Sequence, residues 1–279
     1  MSDSPYIFDG PDADVILRAP LQPESDEFKD FHVHKIILSI ASSVFQDTFS
    51  VPQPPRPTSE STTLDVIPVT EPATVIEPFL QLIYPVDPPV IEDLQLVDDL
   101  FRLADKYAAN GVSTKLKKFL VSPSFLKDDP IGVFAIASRS DLAEEERLAV
   151  SHTFSIDVVS EISEERLQTM TTKTYHRLLA KHAFRRKQLI NAIDQGLRET
   201  WGYSCSCVEN LKKEIHLKTS GRPFLDRELL DACFSSAREL KKRGYQCTGR
   251  DCIYEHERGA TFLSGVMRVI QAMPTGDGM

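Results

Sequence analysis

The sequence predicts an α+β protein, with three short strands among clustered helices in its front part and a mainly α-helical remainder. Three observations carry that reading. Residues 12–18, 28–34 and 64–69 have the apolar–polar make-up of half-buried strands. From Ile36 onward, apolar residues recur every three or four positions, the period of an amphipathic helix. Residues 124–200 keep that period with no further strand pattern.

Residues 12–18 form the first strand, and 28–34 its hairpin partner across a polar connection containing Pro20 and Pro23. At His34 the alternation stops. Ile36, Ile37, Ile40, Ala41, Val44, Phe45 and Phe49 make one broad apolar band, which predicts two short helices, with the Ser42-Ser43 pair placed to cap the second. Residues 51–62 are a Pro/Ser/Thr-rich insert, expected to be a mobile surface loop. In the third strand, Pro68 cannot donate a ladder hydrogen bond, so an edge position follows.

Pro72 suits the first turn of the next helix, whose stripe is Val75, Ile76, Phe79, Leu80, Ile83 and Tyr84 and whose stop is Pro85. Leu94, Val97, Leu100, Phe101, Ala104, Tyr107 and Ala108 predict another helix, with Gly111 expected to end it. Val112, Leu116, Phe119 and Leu120 mark a shorter one, and Pro123 closes the unit.

In 124–200, Ile131, Val133, Phe134, Ile136 and Ala137 predict one helix. Leu142, Leu148, Ala149 and Phe154 predict a second, with Glu144, Glu145 and Glu146 in its first turn, where carboxylates suit the helix dipole. Thr171 is placed to cap a longer helix running through Leu178, Leu189 and Leu197. Within 201–279, residues 208–217 and 227–243 are amphipathic, and a last helix is expected around 262–273.

The 279 residues are 41% hydrophobic and 26% charged, ordinary values for a folded chain. The first residues lack the basic flank and apolar run of a signal peptide, and no apolar run approaches the ~20 residues needed to span a bilayer. A soluble intracellular protein of the cytoplasm or nucleus is expected, with no membrane partner. The net charge of −9 hides an asymmetry: residues 1–170 carry −16, residues 171–250 carry +9 and the last 29 carry −2. The acidic front is expected to repel nucleic acid. The basic run Lys173, His176, Arg177, Lys181, His182, Arg185, Arg186 and Lys187 sits in no recognisable DNA-binding fold, so a specific nucleic-acid site is not expected. It is read by default as a solvated helix face, and more particularly as one that pairs with the acidic front half, within one chain or between two.

All five cysteines fall in the back third, and their odd number argues against a disulfide framework. Cys205-x-Cys207 with Cys247-x4-Cys252-x3-His256 supplies enough thiolate and imidazole for a tetrahedral zinc site. Against it, Cys-x-Cys is an unusual knuckle spacing and the two halves are far apart, so no metal or other cofactor is assigned. His32 and His34 share one strand face, but two donors do not make a metal site. There is no glycine-rich phosphate loop, no His-Glu-x-x-His and no Gly-x-Ser-x-Gly elbow, and no enzymatic activity is expected.

Several separated motifs stand in one order: Asp14-Val15, then Phe31-x-x-His34-Lys35 leading to Leu38, then Ser42/Ser43-Val44-Phe45 and Phe49. Phe79-Leu80-x-x-Ile83-Tyr84 and Leu103-Ala104-Asp105-Lys106-Tyr107 complete the set. Together they resemble a BTB/POZ domain of the form common in fungal BTB-containing proteins. The resemblance spans 1–123, with a core at about 12–122, and implies a small three-stranded sheet with clustered helices. The helical pattern of 124–200 resembles the BACK region that often follows BTB domains, leaving 201–279 as a Cys-containing, mainly helical extension.

The resemblance implies a non-enzymatic adaptor that binds itself or another BTB protein through its opening helices and sheet edge. It makes His34 structural. It also sets Asp14 and Lys35 at the acidic and basic positions that form a charged pocket in BTB transcriptional regulators, against which stands the plainer reading of a local ion pair. Two alternatives follow: a substrate adaptor of a cullin-RING ubiquitin ligase, and a nuclear transcriptional co-regulator. The hydrophobic-x-Glu element expected of a cullin adaptor is not evident in residues 49–54, and no kelch-like repeat follows.

Overall fold

In the computed structural model, residues 8–23, 26–51, 64–201, 206–225 and 227–242 are described, together with positions 265 and 268. The chain divides into two units, 1–125 and 126–279.

The first unit is built on three strands, β1 (Val15–Pro20), β2 (Phe28–Val33) and β3 (Asp65–Pro68), in the order β2-β1-β3. β1 pairs antiparallel with β2 and parallel with β3. The register sets Val15 opposite Val33 and Leu17 opposite Phe31, and all four are buried on one face. On the other face Arg18 stands opposite Asp30 and binds its carboxylate with two hydrogen bonds of 2.7 Å. Pro68 does lie on an edge strand. Residues 52–63, nearly the whole of the Pro/Ser/Thr-rich insert, lie outside the described residues.

Among the described residues, five helices pack with this sheet: α1 (Lys35–Ala41), α2 (Ser43–Ser50), α3 (Ala73–Ile83), α4 (Leu94–Lys106) and α5 (Asn110–Leu120). Ser42 caps α2 as its position predicts, accepting the Phe45 N–H at 3.1 Å. The core takes Leu38, Phe45, Ile76, Phe79, Leu80, Leu100, Leu116 and Leu120. Each large side chain so buried contributes roughly 1.5–3 kcal/mol.

Two expectations are corrected here. The apolar band of α1 and α2 is not one core face: Phe45 is buried, but Ile36 and Ile40 are 65% and 81% exposed and Val44 is also exposed, while Leu38, outside the band, is buried. Gly111 does not end α4. That helix stops at Lys106, Ala108 takes a left-handed φ of 50°, and Gly111 falls in the first turn of α5. The Ala109 N–H then reaches the Ala104 carbonyl at 2.7 Å, closing a Schellman turn with alanine where glycine is usual. Past the end of α5, Pro123 opens a short helix, α6 (Pro123–Asp128), within which the first unit ends.

The second unit is helical among its described residues: α7 (Pro130–Arg139), α8 (Ala143–Thr153), α9 (Val158–Glu161), α10 (Glu164–Thr169), α11 (Thr172–Trp201), α12 (Ser206–Lys218) and α13 (Arg227–Lys242). Asp129 caps α7 through the Gly132 N–H, and Thr171 accepts the Thr174 N–H at the start of α11. α7 packs on α8, α12 on α13, and α11 touches α7 and α12. Leu148, expected on the packed stripe of α8, is exposed. The helix expected around 262–273 lies outside the described residues except at 265 and 268, which are helical. Among the described residues, no helix is long and apolar enough to cross a membrane.

The left-handed Ala108 gives a direct test. An L-residue there bears a steric cost of about 1–2 kcal/mol that glycine avoids, against roughly 0.5–1 kcal/mol of extra chain entropy. Ala108→Gly should therefore stabilise the first unit by about 0.5 kcal/mol in urea melts, whereas Ala108→Val should destabilise it.

Candidate protein-interaction surface

The junction of β2 and α1 gathers Asp14, His34, Lys35 and Tyr84. α1 begins without a side-chain cap from its own N-cap residue. Instead the Asp14 carboxylate, at the start of β1, accepts the Lys35 backbone N–H at 2.7 Å. This satisfies one of the helix's orphan donors with a negative charge at the positive end of its dipole. The Lys35 ammonium points elsewhere, to Asp65 on β3 at 2.7 Å. Asp14 and Lys35 thus meet through backbone and carboxylate, and their side chains do not form an ion pair with each other.

The Tyr84 hydroxyl accepts the His34 backbone N–H at 2.8 Å and lies 3.2 Å from Nδ1. Its own proton suits Nδ1, which leaves the ring hydrogen on Nε2, 3.3 Å from the Asp12 carboxylate. Phe8 packs edge-on against Tyr84 and Phe31, so the junction is closed by aromatic rings. His34 is therefore engaged within the fold.

The second cluster lies between α2 and the end of α4. The buried Ser42 hydroxyl donates to the Tyr107 carbonyl while accepting from Phe45. The Phe45 ring stacks on Tyr107 with centroids 4.6 Å apart and planes 6° apart, and Phe49 stacks on Phe45 at 5.9 Å. Tyr107 reaches the Glu71 carboxylate at 3.3 Å, and Lys106 binds Glu71 and, at 2.9 Å, Thr70. Burial, then the Glu71 charge, push the Tyr107 phenol above its ordinary range. Burial pushes the Glu71 carboxyl up, but hydrogen bonds led by Lys106 outweigh it and hold it below its usual range.

These two clusters seat the inner side of the α1–α2 pair. The outer side of α1 carries Ile36 and Ile40, one turn apart on the same face. The family model for the BTB/POZ domain matches residues 21–124, which hold β2, β3, α1–α5 and the Ser42–Tyr107 bridge, while β1 and Asp14 stand just ahead of the matched segment. The chain carries a BTB/POZ domain. Such domains are protein-interaction modules, self-association included. Comparison with curated proteins returns no match.

Asp12, Asp65 and Glu71 complete these clusters and carry no local signal in the sequence. Each pairs with a residue more than 20 positions away, and nothing nearby distinguishes it from other surface carboxylates.

Of the zinc candidates, Cys205, Cys247, Cys252 and His256 lie outside the described residues, as does the side chain of Cys207, whose backbone is in the first turn of α12. Cys233 is a free, buried thiol. Among the described residues, no group of three or more His, Cys, Asp or Glu could hold a metal ion.

The basic run on α11 divides. Lys173, His176 and Lys187 are exposed. Arg177 and Lys181 converge on buried Glu146 of α8, at 2.9 and 3.6 Å, so Glu146 anchors an ion-pair cluster and does not serve as a solvated first-turn carboxylate. His182 is buried. Thr153 donates to the Val150 carbonyl and so must accept from His182 Nε2, 2.9 Å away.

Two predictions follow from these contacts. Ser42→Ala removes a helix cap and leaves the buried Tyr107 carbonyl unpaired; a loss of about 2–3 kcal/mol is expected in denaturant melts. Burial lowers the His182 imidazole to about 4, with Asp157 pulling weakly the other way. Its folded value lies below the ordinary 6.5, so the stability it confers is complete above about pH 6.5 and is lost as pH falls toward about 4. Between pH 7.5 and 5 the second unit should lose about 2 kcal/mol from this group, and His182→Gln, which keeps a donor for Thr153, should flatten that slope.

Proposed function

We propose that the protein is a non-enzymatic adaptor acting through homotypic or heterotypic BTB association, with the Ile36–Ile40 face of α1 as the contact. The observation that carries this is the exposure of two isoleucines on one face of a helix whose opposite residue, Leu38, is fully buried. Burying each isoleucine in a partner would contribute roughly 1.5–3 kcal/mol. The signature residues Asp14, Phe31, His34, Lys35, Leu38, Ser42, Phe45, Phe49, Tyr84, Lys106 and Tyr107 act in this reading as the scaffold that holds that face.

The domain is proposed to be of the fungal BTB form, with a BACK-like region over 124–200, in an intracellular protein of the cytoplasm or nucleus. Adaptor roles in a cullin-RING ligase or in transcriptional co-regulation are narrower versions of the same reading. The engagement of Lys35 by Asp65 gives the second no added support.

Sedimentation of the wild-type chain should show a dimer, and the Ile36→Glu/Ile40→Glu variant should raise the dimer dissociation constant at least ~100-fold, since it replaces apolar burial with facing charges. Its circular dichroism should be unchanged, because neither side chain packs in the core. A wild-type chain that stays monomeric at its highest soluble concentration, and captures no second BTB protein, would count against the proposal.

A further inference from the structure

α5 has two faces with different tasks. Val112, Leu116 and Leu120 are buried in the core of the first unit. Thr114, Lys115, Lys118 and Phe119 instead line a pocket of about 480 Å³, together with Leu82 of α3 and Pro88 of the connection that follows it. Phe119, which its spacing places with the core residues, is only half-buried here.

The cations at this pocket are the exception in their unit. Arg18, Lys29, Lys35, Arg102 and Lys106 each sit on a carboxylate, that of Asp30, Glu77, Asp65, Asp98 and Glu71 respectively. Lys115 reaches the Leu82 carbonyl at 2.6 Å, and Lys118 has no partner among the described residues. In a unit rich in carboxylates, Lys115, Lys117 and Lys118 form a basic patch beside an apolar hollow. Asp87 of the α3–α4 connection is exposed and does not line the pocket.

We infer that this pocket docks an acidic–apolar peptide segment of a partner protein, with an apolar side chain against Leu82 and Phe119 and carboxylates on Lys115 and Lys118. The volume lies within the usual range for ligand sites and exceeds one side chain. Two cations one helical turn apart match two carboxylates on a peptide better than the single headgroup of a fatty acid. The site lies on α5 and α3, so it goes beyond the association proposed for α1 and stands without it.

The test uses the full chain and three fluorescein-labelled octapeptides, alternating glutamate with leucine, lysine with leucine, and glutamate with serine, read by fluorescence anisotropy. The glutamate–leucine peptide should bind best, and more weakly as salt is raised. Lys118→Glu should weaken it at least ~tenfold, as should Thr114→Trp, which fills the hollow. Ile40→Glu should leave it unchanged. Equal binding of all three peptides overturns the inference, and so does binding indifferent to both pocket variants, which would assign it to the basic face of α11. Decanoate that perturbs Lys118 and Phe119 resonances where the peptide does not would assign the pocket to a fatty acid and overturn it equally.

Discussion

The Ser42 hydroxyl is used in both directions, and the first unit depends on it. As acceptor it takes the Phe45 N–H at the start of α2; as donor it serves the Tyr107 carbonyl just past the end of α4. A helix start and a helix end both leave backbone groups unpaired, and here one buried atom satisfies one from each. Alanine offers neither capacity, and a larger polar residue would not fit where Phe45 and Tyr107 stack 4.6 Å apart. The bridge is also what fixes α2 relative to α4. The polar contacts of the sheet go elsewhere, to α1 through Asp14 and Asp65 and to α3 through Lys29.

Around that point the electrostatics follow a simple pattern. Lys35 crosses from α1 to β3, Lys29 from β2 to α3, and Lys106 from α4 to the turn before α3. Each ties two elements distant in sequence. Such half-exposed pairs contribute little energy singly, at most about 1 kcal/mol, but they favour one register over its neighbours. Carboxylates outnumber cations in this unit and leave it acidic, which discourages indiscriminate association.

How far the sequence discloses all this depends on the distance over which each signal acts. Strand alternation, the Ser42 cap and the helical stripes are local, and they locate β1–β3, α1–α5 and α11 to within a few residues. The four-residue α9 and six-residue α10 are too short to show a period, and the sequence reading contains neither. Gly111 misleads because the left-handed turn falls three residues earlier on alanine, which tertiary packing of Tyr107 and Ala109 imposes. Glu146 misleads because a dipole argument sees only its own helix, while Arg177 and Lys181 arrive from α11. Periodicity also cannot separate an apolar residue facing the core from one facing a partner. The period puts Ile36 and Ile40 in the apolar band and leaves Leu38 out of it, whereas the fold buries Leu38 and exposes the two isoleucines.

That ambiguity has a physical consequence. A seven-residue helix with one buried and one exposed apolar stripe has little intrinsic stability, since isolated helices of that length do not persist in water. α1 is held instead from its ends, by Asp14 and Tyr84 at the front and by the Ser42 turn at the back. A contact face fixed in this way has lost its backbone freedom before any partner arrives. Less ordering cost would then be charged against the association proposed for this face than a flexible segment would bear.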